Sequence, residues 1–212
     1  VMRLPAKGIS VVAIGASTGG PEALREIISL LPAGFQAGVV VVQHMPEGFT
    51  RTFSERLDSL SEVEVREARH GDIVRPGLVL IAPGSSHMVV KRKSLATIVE
   101  LNQNEKVNGH RPAVDPLFLS VASEFGRNSA AAILTGMGRD GVNGLKEIHS
   151  AGGLTFAQNE KTCVVFGMPK EAIREGCVRE TLSPPSIANR LIEAVAAKGM
   201  DAAAGTKRVA GE

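Results

Sequence analysis

Apolar runs of strand length alternate with segments of helical period along most of the chain. Ile9–Ala16, Val39–Gln43 and Ala130–Leu134 are nearly unbroken apolar stretches, the pattern of strands buried on both faces of a parallel sheet. The period changes between them. Pro21 opens a helix running to about Leu31; proline is tolerated there because a first helical N–H has no partner in the helix. Thr50–Leu60 sets Phe53, Leu57 and Leu60 on one stripe. Val142–Ser150 is helical as far as the Gly152-Gly153 stop. Leu154–Ala157 reads as a strand, Pro169–Arg174 as a short helix, Val178–Thr181 as a last short strand and Ser186–Ala197 as a closing amphipathic helix. The alternation predicts an α/β fold: a doubly wound, mostly parallel sheet flanked by helices.

The middle of the chain breaks this rhythm. Val63–Arg66, Leu78–Ala82, His87–Arg92 and Leu95–Leu101 are short strand patterns joined by turn signals such as Pro76-Gly77 and Pro83-Gly84. Strands so close in sequence leave little room for parallel crossovers, so an added antiparallel patch is expected. Asn102–Val114 is polar and aperiodic. Asp115 is expected to cap a helix through Phe125, with Pro116 at its first position. The pattern implies one domain over residues 9–198 and a frayed tail over 199–212 rich in alanine, glycine and charge.

Composition narrows the function. The net charge is only +2, and there are seven Phe but no Tyr or Trp. Neither a nucleic-acid footprint nor an aromatic stacking platform is present. Two cysteines, Cys163 and Cys177, form no disulfide framework and no zinc-binding pair. No apolar run approaches the ~20 residues of a membrane span, so direct membrane insertion is not expected. A cytoplasmic location, without metal or organic cofactor, is the expectation.

The chemistry starts at Gly15-Ala16-Ser17-Thr18-Gly19-Gly20, between the first strand and the first helix. A dinucleotide site would need glycine where Ser17 stands and a carboxylate after the second strand, where Gln43-His44 is found. No Gly-Lys-Ser/Thr follows, which excludes a P-loop. Two readings remain open. One is an ordinary tight turn with small residues. The other is a nucleophile elbow, because Gly15–Gly19 fits G-x-S-x-G. A serine needs a base and a group that orients the base. His44 directly follows the second strand, and Asp140 follows the strand at Ala130–Leu134. Serine, histidine and aspartate thus stand at three strand ends, where ligands collect in open α/β sheets. Gly136, Gly138 and Gly141 leave room and free N–H groups beside Asp140. Singly, His44 could be a packed loop histidine and Asp140 a turn residue before Gly141. The order Ser…His…Asp differs from that of α/β-hydrolases.

The stretches IGASTGG, QHMPEGFTRTFSERL, IAPGSSHM, HRPAVDPLF, ILTGMGRDG and AQNEKTCVVFGMPKEA resemble the catalytic domain of bacterial chemotaxis protein-glutamate methylesterase/deamidase over about residues 9–195. The resemblance implies hydrolysis of glutamyl γ-methyl esters, and deamidation of glutamines, on the cytoplasmic helices of chemoreceptors. It implies Ser17 as nucleophile, His44 as base and Asp140 as its partner. It further implies an oxyanion donor at the Met137 N–H, with Thr18, Gly136, Gly138, His110 and Arg111 near the site. Members of that family carry an N-terminal receiver domain. None is legible in this sequence, and residues 1–8 resemble the end of the linker that joins it to the catalytic domain, so two expectations stand: a receiver-less form, or a longer protein in which a receiver domain is the partner. A non-catalytic binding module on the same scaffold, or a small-molecule carboxylesterase or amidase, are the alternatives.

Overall fold

Nine strands and six helices follow one another in a computed structural model that describes residues 8–94 and 96–206. The strands are β1 Val11–Ala16, β2 Gly38–Gln43, β3 Glu64–Glu67, β4 Leu78–Ile81, β5 His87–Lys93, β6 Ala96–Asn102, β7 Ser129–Ile133, β8 Leu154–Gln158 and β9 Glu180–Leu182. The helices are α1 Gly20–Ile28, α2 Phe49–Asp58, α3 Val114–Phe125, α4 Val142–Ser150, α5 Met168–Arg174 and α6 Pro184–Thr206. Seven strands form one sheet in the order β3-β4-β2-β1-β7-β8-β9, every pairing parallel. The expected doubly wound sheet is therefore present. Every residue of β1, β2, β7 and β8 is buried, which is why those segments read as unbroken apolar runs.

Alternate residues of each strand feed opposite layers. Val12, Ile14 and Ala16 of β1 pack with Leu24 and Ile27 of α1 and Ile187 and Leu191 of α6. Val11 and Ala13 pack with Leu117, Phe118 and Val121 of α3 and Leu145 and Ile148 of α4. Glycine admits α3 to the sheet. A Cβ on Gly15 would lie 2.3 Å from Cγ1 of Val114, the first residue of α3.

Two expectations need correction. The antiparallel patch is confined to β5–β6, paired from His87↔Asn102 to Lys93↔Ala96 in a sheet of its own. β3 and β4 are parallel and belong to the large sheet (Glu64↔Leu78, Glu67↔Ile81). The short link 68–77 makes that crossover without a helix because it runs extended along β6. Gly71 N–H and Val74 N–H donate to Val99 and Thr97, and Val99 N–H donates to Asp72. Extended chain spans ~3.3 Å per residue, so a short link suffices. Second, Ala113 rather than Asp115 is the N-cap of α3; Asp115 lies inside its first turn, buried. The closing helix is longer than its apolar stripe, since α6 continues to Thr206. Segments 1–7 and 207–212, which hold most of the expected linker and the end of the expected tail, lie outside the described residues.

Candidate active site

The sheet reverses its winding between β1 and β7, and the candidate residues gather at the carboxyl ends of the strands there. Ala16 pairs with Gln43, so Ser17 and His44 leave adjacent strands side by side. His44 N–H donates to Ala16 O at 3.0 Å, and Ser17 N–H donates to Thr135 O, past the end of β7, at 3.0 Å. The buried Gln43 side chain ties the two together: its Nε2 donates to Ser17 O at 2.9 Å and to His44 O at 3.1 Å. Thr135 Oγ1 donates to Thr18 O at 2.9 Å. The serine turn at the end of β1 is thus held by backbone and side-chain bonds from the ends of the two neighbouring strands, β2 and β7.

His44 Nε2 lies 2.7 Å from Asp140 Oδ2. The carboxylate is almost fully buried and accepts three further bonds, from Val114 N at 2.6 Å, Asp115 N at 3.1 Å and Asn108 Nδ2 at 2.9 Å. Asp140 therefore occupies the place of a cap at the start of α3, where the free N–H groups of a helix favour an anion. Burial pushes its carboxyl up, but the His44 ring, the Val114 N–H and the Asn108 amide outweigh burial and hold it below the usual aspartate value. Asp140 is thus ionised at neutral pH, and His44 Nε2 is the donor of the pair. The other ring nitrogen, Nδ1, is buried and has no hydrogen-bond partner. Ser17 is half-buried, and its hydroxyl makes no hydrogen bond among the described residues. A serine and an unsatisfied imidazole nitrogen thus stand on adjacent strand ends, the residue types that a nucleophile and its base require, with no hydrogen bond between their side chains.

The remaining predicted residues divide. Met137 is 74% exposed beside this site. The N–H groups of Met137 and Thr18 make no hydrogen bond among the described residues, so both are open donors. Gly136 differs from expectation: its N–H donates to Val165 O at 3.0 Å and is not free. What Gly136 supplies is space, because a Cβ there would lie 2.6 Å from Ser17 Cβ and 2.4 Å from Met168 Sδ. Gly138 has φ of 89°, the left-handed region that favours glycine. His110 stacks on His44, ring centroids 3.8 Å apart and planes 11° from parallel. Burial, then the neighbouring His44, hold its imidazole below the usual histidine range. Arg111 Nη1 donates to the carbonyls of Gln103 (2.9 Å) and Asn104 (3.1 Å), so that group braces its own loop. His44, Met45, Pro46, Lys106 and Gly109–Pro112 line an open cleft of about 350 Å³; Ser17 lies outside its lining. No group of metal-ligating side chains occurs among the described residues.

Gly136→Ala should force the serine turn to shift, costing about 1–3 kcal/mol of stability and tenfold or more in turnover. Gly34→Ala, with open space around its Cβ, is the neutral control. Equal melting temperatures and rates for the two variants would contradict the packing argument. Cys163 also lies near this loop, half-buried, its thiol pushed up to about 11 by burial. Its alkylation by iodoacetamide at neutral pH should be about a hundredfold slower than that of a free thiol and rise steeply with pH. Labelling as fast as free cysteine would show the thiol to be activated.

The polypeptide that places serine, histidine and aspartate in this way matches the CheB methylesterase family model over residues 12–191. The chain belongs to the CheB methylesterase family. Its likeness to the CheB methylesterase catalytic domain of Thermotoga maritima extends to the fold, with a TM-score of 0.86 and 45% identity over 87% of this chain and 98% of that one. It is 52% identical over 189 residues to protein-glutamate methylesterase/protein-glutamine glutaminase 2 of Pseudomonas aeruginosa, covering 89% of this chain and 54% of the relative. It is 46% identical over 184 residues to protein-glutamate methylesterase/protein-glutamine glutaminase of Pyrococcus horikoshii, covering 87% and 50%. The chain spans about half the length of the curated relatives it matches. Sequence reasoning missed three residues of this candidate site: Gln43, Asn108 and the inward-facing Asp115. The Asn108-Gly109 turn signal was visible, but its carboxylate partners are remote in the chain.

Proposed function

We propose that this chain is a serine hydrolase that demethylates glutamate γ-methyl esters and deamidates glutamines on chemotaxis receptors. The observation that carries the reading is the buried His44–Asp140 pair, with Nδ1 of His44 unsatisfied, beside the turn that bears Ser17 in a CheB-family chain. Nδ1 takes the Ser17 proton as the hydroxyl attacks the ester carbonyl, and Asp140 stabilises the imidazolium. The open N–H groups of Thr18 and Met137 receive the oxyanion; one such donor contributes roughly 3 kcal/mol in comparable sites. Methanol leaves with the proton from His44, and water then cleaves the acyl-enzyme with His44 again as base. An amide substrate loses ammonia by the same route.

Each turnover converts a neutral side chain into a carboxylate on a receptor helix, adding like-charge repulsion along it. The substrate helices are cytoplasmic in this reading, and so is the enzyme. No described helix is long and apolar enough to cross a membrane. A receiver domain joined to the chain in a longer protein is the proposed controlling partner. The test is methanol release from methylated receptor membranes alongside a small methyl ester. Release from receptors at a much higher kcat/KM supports the reading. Equal rates favour a small-molecule esterase, and none from either favours an idle scaffold.

A further inference from the structure

The turn at Val107–His110 touches both members of the His44–Asp140 pair. Val107 and His110 exchange backbone hydrogen bonds of 3.1 and 2.9 Å, and Asn108 and Gly109 have φ of 53° and 80°. Asn-Gly with positive φ at both central positions is the preferred chemistry of a tight two-residue turn. Asn108 Nδ2 donates to Asp140 Oδ1 at 2.9 Å and to Asp115 Oδ2 at 3.0 Å. One exposed amide therefore bridges two buried carboxylates. From the other end of the turn, the His110 ring lies flat against His44. The surrounding loop is anchored independently: His87 Nε2 bonds Glu105 O at 3.0 Å, His87 Nδ1 accepts from Ala113 N at 3.2 Å, and Arg111 holds the carbonyls of Gln103 and Asn104.

We propose that this turn is a positioning clasp for the catalytic pair: Asn108 occupies Oδ1 of Asp140, leaving Oδ2 to His44 and the Val114 N–H, and His110 fixes the plane of the His44 ring. The inference rests on the reading of Ser17, His44 and Asp140 as catalytic. Asparagine suits the place because its amide nitrogen supplies two donors to two acceptors while its backbone tolerates the left-handed region. The second carboxylate has its own bonds, from Gly144 N at 2.9 Å and Asn143 Nδ2 at 3.2 Å. Burial, then the nearby Asp140 charge, raise the Asp115 carboxyl above the usual value. Without the amide, two acidic groups would face each other unbridged.

The consequence is a pH signature. His44 faces Asp140 at Nε2 and His110 across its ring plane. Lys106 and Arg111 line the same cleft, and Asp115 stands behind Asp140 across the amide. Losing the Asn108 donor leaves Asp140 a stronger attractor of the His44 proton, so the imidazolium persists to higher pH. An acid at position 108 adds a further negative charge in the same direction.

The experiment uses Asn108→Gly and Asn108→Asp, both compatible with the positive φ, in the full chain acting on a glutamyl γ-methyl ester peptide. The acid limb of kcat/KM is expected to move up by about half a pH unit in the glycine variant and about one unit in the aspartate variant. The kcat should fall about fivefold or more while KM stays within twofold. Loss of activity with an unmoved acid limb, a change confined to KM, or two unaltered variants would each overturn the clasp. The His44 imidazole titration followed by NMR without substrate should show the same upward shift. That readout separates failure of the clasp from failure of the esterase reading, which instead shows as an inactive parent protein.

Discussion

Ser17→Ala is expected to abolish methanol release, with kcat down by more than about 10⁴-fold, because loss of the proposed nucleophile removes the covalent route and leaves only the proposed oxyanion donors and binding. The fold should survive. The bonds that fix the turn (Ser17 N–H to Thr135 O, Gly20 N–H to Ser17 O, Gln43 Nε2 to Ser17 O) do not involve the hydroxyl, which is itself unbonded among the described residues. Alanine keeps the Cβ that already fits beside Gly136. The comparison to make is methanol release and melting temperature of the two proteins side by side. An intact fold with parental turnover removes serine from the chemistry.

Asp140→Asn should have the second-largest effect, a fall of about 10⁴ in kcat, through the tautomer of His44. Asp140 accepts at both oxygens: Oδ1 from Asn108 and Asp115 N, Oδ2 from His44 and Val114 N. An amide must turn its NH₂ toward one of these donor pairs. Facing His44, it forces the hydrogen onto Nδ1, the nitrogen proposed to receive the serine proton. Facing Asn108 and Asp115, it sets donors against donors. The chain should nevertheless fold. A cap contributes about 0.5–2 kcal/mol, whereas Leu117, Phe118 and Val121 of α3 are fully buried and contribute roughly 1.5–3 kcal/mol each. The acid stability of the parent carries the same signature. Asp140 titrates below the usual aspartate value when folded, so its stabilising contribution is complete above about pH 4 and is lost as the pH falls below that. A variant rate within tenfold of the parent contradicts the orienting role.

What the sequence disclosed follows from the range of the interactions. β1, β2 and β7 were legible because burial on both faces leaves continuous apolar runs, a local signal. Ser17 and His44 were legible as residues that follow such runs at once. The parallel pairing of β3 with β4 was not legible, because it depends on the link 68–77 lying along β6, a strand that comes later in the chain. Asp115-Pro116 has the local form of a helix cap, but the N–H groups at the start of α3 go to Asp140, far along the sequence, and Asp115 turns inward to Gly144. The bridging role of Asn108 is invisible for the same reason. Its turn is written locally in Asn-Gly, whereas its function depends on a carboxylate from the loop after β7.

The central claim is an acyl-enzyme on Ser17, and acid-quenched turnover followed by mass spectrometry tests it most directly. Tryptic cleavage after Lys7 and Arg25 releases a peptide, 8–25, that contains this serine. During hydrolysis of a glutamyl methyl ester peptide, that fragment should carry the substrate mass less methanol, with fragmentation placing the adduct at Ser17. Steady turnover with residues 8–25 unmodified at every quench time, or with the acyl group on another side chain, contradicts it.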